Sequence, residues 1–136
     1  MAFRHGKNAV FKVDNSGGTL TDISAYCDEV SLPRSIETGE TTTYGKTAKT
    51  YIVGLTDATI SVSGKWDSTV DAHLAGILGQ DATVTFEYGP EGSAASRVKY
   101  TGEAILTSFE TSSPVADVVT FSAEFQCTDT ITRTTF

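Results

Sequence analysis

Cysteine is scarce in this chain and poorly placed for chemistry. Cys27 and Cys127 are its two cysteines, with no Cys-x-x-Cys pair and no histidine at ligand spacing, which argues against a zinc site. Each is expected to be a small buried residue with a free thiol. Histidine is equally short, with only His5 and His73, so a catalytic triad has no convincing base. Positive charge is also lacking: 10 basic against 17 acidic side chains leave a net charge of −7. That balance disfavours affinity built on neutralising phosphates. No apolar run approaches the roughly 18 residues of a membrane-spanning helix. The start, Met1 to Lys7, is charged with no apolar stretch behind it, so we expect no secretory signal and synthesis in the cytoplasm.

Motifs for phosphate, nucleophile and calcium chemistry each fall short by a definite margin. A phosphate-binding loop needs four residues between its glycines, whereas Gly39 and Gly45 enclose five, with no strand and helix framing them. Ser63-Gly64 lacks the preceding glycine of a nucleophile elbow. Asp14 to Asp22 misses the alternating oxygen ligands and closing glutamate of a calcium loop and reads better as a turn. The expectation is a protein without catalytic site, metal or cofactor.

What the chain has in abundance is threonine, 22 residues of it in 136, a β-branched side chain suited to a half-wet pleated surface. Alternation is clear in Asp57–Trp66, where Ala58, Ile60, Val62 and Trp66 share a face opposite Thr59, Ser61, Ser63 and Lys65. Val115–Cys127 repeats the pattern, with Phe121, Ala123 and Phe125 opposite Thr120, Ser122 and Glu124. Shorter strands are expected at Ala9–Val13, Tyr26–Leu32 and Thr83–Tyr88. The apolar phase slips between Arg97 and Phe109, which places a bulge near Gly102. Val62, Trp66, Phe86, Phe121 and Phe125 form the expected core.

One segment, about residues 68–78, has helical spacing: Val70, Leu74, Ile77 and Leu78 follow the cap candidates Asp67 and Ser68 and precede Gly79. A helix that short and one-faced cannot cover two sheets. The fold class expected is therefore mainly β, an antiparallel β-sandwich or partly open barrel with one flanking α-helix, as a single domain over 1–136. Arg34–Tyr51 is left over as a long polar loop with little to bury.

The order of these pieces resembles the phage major tail protein (tail tube) family. The resemblance covers nearly the whole chain and is most specific from Thr42 to Asp67. There a Thr42-Thr43-Tyr44-Gly45 loop, Lys49, the step Gly54-Leu55-Thr56-Asp57, a glycine-interrupted strand and Trp66-Asp67 occur in the family's order. It implies a non-enzymatic homo-oligomer whose rings, typically hexameric, stack into a virion tail tube assembled in the host cytoplasm. It further implies tape measure, terminator and tip proteins as partners, and DNA passing through the lumen without specific binding or a membrane. By position in the family, Glu37, Thr42, Thr43, Tyr44, Gly45, Lys46, Lys49 and Tyr51 belong to an inter-subunit assembly loop, and 128–136 to a C-terminal arm.

On the wet strand faces, Thr59, Ser61, Ser63, Glu103 and Glu124 are the candidates for the lumen, where carboxylates keep a duplex hydrated and lysines would grip it. Two other classes stay open on the sequence. A tube of a contractile injection or type VI secretion system would share the fold. A carbohydrate-binding sandwich would need exposed aromatics in a row, for which Tyr26, Tyr44, Tyr51, Trp66, Tyr88 and Tyr100 are the stock.

Overall fold

The computed structural model describes residues 3–136. Eight strands and one helix follow in order: β1 Val10–Asp14, β2 Leu20–Asp22, β3 Cys27–Ser31, β4 Arg34–Glu40, β5 Tyr51–Lys65, α1 Ser68–Ile77, β6 Val84–Gly89, β7 Val98–Ser112 and β8 Thr120–Thr135. All pairings are antiparallel. The path runs β2-β1-β6-β7-β8-β5-β3, with β4 continuing on β5. The result is one open sheet, mainly β with a single short α-helix.

The sheet is curled, and one ring pair proves it. β1 and β8 lie three steps apart in the path, about 14 Å on a flat sheet. Yet the Phe11 and Phe125 rings sit 6.0 Å apart. Inside the curl lie Phe11 and Val13 of β1, Ile60 and Val62 of β5, Val84 and Phe86 of β6, Ala104 and Leu106 of β7, and Phe121, Ala123 and Phe125 of β8. Among the described residues no polar or charged side chain is buried. Cohesion therefore rests on apolar burial, worth about 1.5–3 kcal/mol for each large side chain.

The two open ends of the path, β2 and β3, are neighbours in sequence, joined by a 3-10 turn at Ser24–Tyr26. The Ile23 N–H donates to Phe11 O at 3.1 Å, and the Ser24 hydroxyl accepts from Phe11 N–H at 2.8 Å, which pins that turn to β1. Gly64 of β5, the register partner of Cys27, meets the turn so closely that a Cβ there would stand 1.9 Å from Tyr26 O. No other residue fits without moving β3.

The helix starts as its sequence dictates: the Asp67 carboxylate accepts from Thr69 N–H at 2.8 Å. It buries Val70, Leu74 and Ile77 and ends before Gly79, whose φ is +82°. Leu78, expected on the buried stripe, falls at the cap and is exposed. The bulge expected near Gly102 is present between Thr101 and Glu103.

Three expectations need correction. Arg34–Tyr51 is not one long loop: Arg34–Glu40 is a strand paired with β5, whose outer half begins at Tyr51, so the loop shrinks to residues 41–50. This hairpin has no layer covering it, so no burial period marks it in the sequence. The last strand begins at Thr120 rather than Val115, because Pro114 and the Val115–Asp117 turn carry the chain around first. Nor is 128–136 a loose arm: Thr128–Thr135 pairs with β7, and Phe136 donates its N–H to Arg97 O at 3.0 Å. Its threonines carry no apolar signal, but backbone pairing needs none.

Candidate functional site

β3 and β4 lie end to end along β5. Ser31 faces Ser61 and Arg34 faces Ala58 in one register, interrupted at Leu32-Pro33, where the Pro33 carbonyl still accepts from Thr59 N–H at 3.2 Å. Together they make one long hairpin. Its inner half is locked into the sheet because β5 also pairs with β8 from Thr59 to Lys65. Beyond Thr59, β8 departs and the hairpin projects alone.

Every residue of β4 and of the Tyr51–Asp57 half of β5 is exposed. The register places Ile36, Val53 and Tyr51 on the face that continues the core side of β5, with Ile52 on the other. The register shifts between Ile36 and Thr38, with Gly54 and Leu55 at the irregularity. Val53 is 71% and Leu55 75% exposed. A two-stranded ribbon is marginal in water on its own, and this one carries apolar side chains on both faces.

The loop at its tip is closed by threonines. Thr41 N–H donates to Thr50 O at 2.8 Å, the Thr41 and Thr50 hydroxyls meet at 2.8 Å, and Thr42 Oγ1 accepts from Thr50 N–H at 2.9 Å. Gly45 takes φ +85° to turn the chain. Tyr44 and Lys46 are exposed beside it, while Lys49 reaches Glu40 at 3.9 Å, both largely in solvent, a pair worth about 0–1 kcal/mol. Of the assembly-loop residues expected from sequence, Thr42, Thr43, Tyr44, Gly45, Lys46 and Lys49 sit on this tip. Glu37 and Tyr51 stand on the paired strands behind it.

At the fork where the hairpin leaves the sheet, a cleft of about 290 Å³ opens between Ile36 and Asp57 on one prong and Asp129 to Ile131 on the other. Gln126 Nε2 bridges it, donating to Asp57 Oδ1 at 2.8 Å and Ala58 O at 3.1 Å. The Arg34 guanidinium lies 4.6 Å from the centre of the Tyr100 ring, a cation–π contact at the hairpin's base.

The outward face of β3, β5, β8 and β7 is a shallow wet groove. Ser61, Ser63 and Glu124 meet there with Glu29, Ser108, Glu110 and Ser122. Thr59 points to the same side of β5, facing Gln126 in the register. Glu103 is not in this groove. Its carboxylate accepts from the Thr83 and Thr85 hydroxyls at 2.9 and 2.6 Å, out toward β6. Glu110 and Glu29 were missed in the sequence, Glu110 because the shift between Leu106 and Ser108 changes which residues face out. Lys65, the nearby cation, is held by Asp28 at 3.4 Å.

Trp66 is not core. It lies one residue past the end of β5, 37% exposed, and its indole N–H donates to Asp71 Oδ1 at 3.2 Å. Alternation carried it to the buried face, but the sheet stops short of covering it. Both cysteines are free. Burial, helped by Asp28 and Asp22, pushes the Cys27 thiol up to about 12, and burial with Asp57 pushes Cys127 up to about 11. Neither is a nucleophile at neutral pH. Among the described residues no three His, Cys, Asp or Glu side chains converge on a metal-sized site.

Two open sheet ends and an uncovered apolar hairpin are the features of a β-protein that associates with copies of itself. The sequence matches the profile of the phage tail tube proteins over residues 4–133, and the chain belongs to that family as a structural component of the virion tail. No curated protein matches it in sequence.

Solved structures share the fold at low identity. A protein of the native gene transfer agent virion is 17% identical with a TM-score of 0.80, covering 97% of this chain and 99% of that one. The SPP1 tail tube is 13% identical at 0.76, covering 98% and 80%. A protein of the sheath–tube complex of an extracellular contractile injection system is 14% identical at 0.70, covering 98% and 93%.

Proposed function

We propose that this tail tube protein forms six-membered rings that stack into the conduit for DNA ejection. Each projecting hairpin, β4 with the outer half of β5, bridges to a neighbouring copy. The observation that carries the reading is the hairpin itself: a folded ribbon with Tyr51, Val53 and Leu55 in solvent is an interface awaiting its partner. The symmetry is supported by the gene transfer agent tail solved with sixfold symmetry, which shares this fold at 16% identity and a TM-score of 0.79. A tape measure protein inside the tube and a terminator at its end complete the assembly. A sheath and tube terminator of an injection system also has this fold, at 16% identity and a TM-score of 0.62.

The wet groove then lines the lumen. Thr59, Ser61, Ser63, Glu110 and Glu124, repeated around a ring and along a stack, make a hydroxyl and carboxylate wall. Duplex DNA carries about one charge per 1.7 Å, and such a wall offers its phosphates no cation to condense on.

Deleting residues 42–49 tests the reading, because the loop serves no buried contact of its own chain. The expected result is a folded subunit with the parent's melting behaviour and no tubes in electron micrographs. Intact tubes from the deletion would overturn it. For the lumen, Glu110→Lys with Glu124→Lys is expected to give normal tubes and slowed ejection, and unchanged ejection would place the groove outside the channel.

A further inference from the structure

β5 has an uncovered surface at each end. At its first residues is the hairpin with Tyr51, Val53 and Leu55 and the basic tip residues Lys46 and Lys49. Past its last residue is Trp66, whose backbone N–H donates to Val119 O at 3.0 Å, which brings the turn between β7 and β8 alongside. That turn exposes Val115 at 108% and Val118 at 55% of their reference areas. Ten residues of strand, Thr56 to Lys65, separate the two surfaces, up to about 35 Å.

We propose that the Val115–Val118 turn with Trp66 is the seat on which the hairpin of a second copy docks, in the next ring of the stack. This rests on the reading of the hairpin as the bridging element. A tube grows without closing along its axis only through a head-to-tail contact, which requires two different, complementary patches on one subunit. These two patches stand at opposite ends of one strand, as such a contact demands.

Their chemistry matches as well. Both centre on exposed aliphatic and aromatic side chains. The hairpin tip carries Lys46, unpaired among the described residues, and Lys49 paired with Glu40, whereas the seat carries Asp117 in its turn, with Asp67 capping the helix and Asp71 bonded to Trp66. The nearest lysine, Lys65, is engaged by Asp28. Pro114 stiffens the approach to the seat, and the Asp117 carboxylate accepts from Val118 N–H at 2.8 Å.

The test is Val115→Ser with Val118→Ser in the full chain, assembled beside the parent and beside the 42–49 deletion. Both replaced side chains are exposed, so the monomer is expected to melt like the parent. Electron micrographs are expected to show at least a tenfold loss of tubes, with free rings accumulating. A charge exchange is the second arm. Asp117→Lys alone and Lys46→Asp/Lys49→Asp alone are each expected to reduce stacking, and mixing the two proteins to restore it. Parent-length tubes from the serine variant would overturn the proposal. If the deletion also assembled, the hairpin reading itself would fall; if only the deletion failed to assemble, the hairpin bridges but seats elsewhere. Failure of the charge exchange to restore stacking would likewise overturn the pairing of tip and seat.

Discussion

The two halves of β5 are made of similar residues and live in opposite environments. From Ala58 to Gly64 every second residue is buried in the core; from Tyr51 to Asp57 none is. Hydrophobicity does not separate them, since Ile52, Val53 and Leu55 are about as apolar as Ile60 and Val62. What separates them is the second neighbour: β8 flanks the inner half and leaves the outer half at Thr59. Apolar content in a strand therefore indicates that something must cover it. Whether the cover comes from the same chain or another is decided by topology.

The largest effect that sharpens this contrast is Ile60→Ala, in the inner half. It removes a fully buried side chain from a core without polar groups, at a cost of about 2–5 kcal/mol, enough to bring a marginal domain close to unfolding. Chemical denaturation of the monomer measures it. Trp66→Ala comes next, because about a third of that ring already meets water and its removal leaves no closed cavity. We expect a loss on the order of 1–2 kcal/mol, and a loss as large as that of Ile60→Ala would show that the rim is packed more tightly than its exposure indicates.

In the outer half, Val53→Ser with Leu55→Ser is expected to shift monomer stability by no more than about 0.5 kcal/mol while abolishing tubes. Equal damage to both readouts would break the comparison. The smallest effect is one of pH. Glu91 has its carboxyl held below the ordinary glutamate value, chiefly by the Val98 N–H and then by Arg4. A depressed folded-state value contributes stability above the unfolded pKa and loses it as pH falls through the folded one. The melting temperatures of the parent and Glu91→Gln are thus expected to differ slightly at pH 7 and to converge as the pH falls through the lowered folded-state value.

Much of this was legible because the inner strands alternate. Val62, Phe86, Phe121 and Phe125 could be assigned to the core from period two, which wrongly added Trp66, and Asp67 and Gly79 bracketed the helix by their capping chemistry. β4 was not legible, since Arg34-Ser35-Ile36-Glu37-Thr38-Gly39-Glu40 has no buried face and pairs only through its backbone. Thr128–Thr135 failed for the same reason. The groove was half legible: Ser61, Ser63 and Glu124 were placed by alternation, but Glu103 was assigned to the wrong neighbourhood and Glu110 overlooked, because two shifts in β7 change which residues share a surface.

The continuity of β5 through body and arm also has a mechanical meaning. A pull on the hairpin tip runs along the strand axis into the body. There β5 is gripped by seven register pairs with β8 and four with β3. Force in that direction shears these bonds together, whereas a peeling force would open them one at a time. Because forced unfolding is governed by the unfolding rate rather than by equilibrium stability, a subunit of modest stability can still resist tension. On the proposed bridging by the hairpin, load between copies would pass through hydrogen bonds strained in parallel.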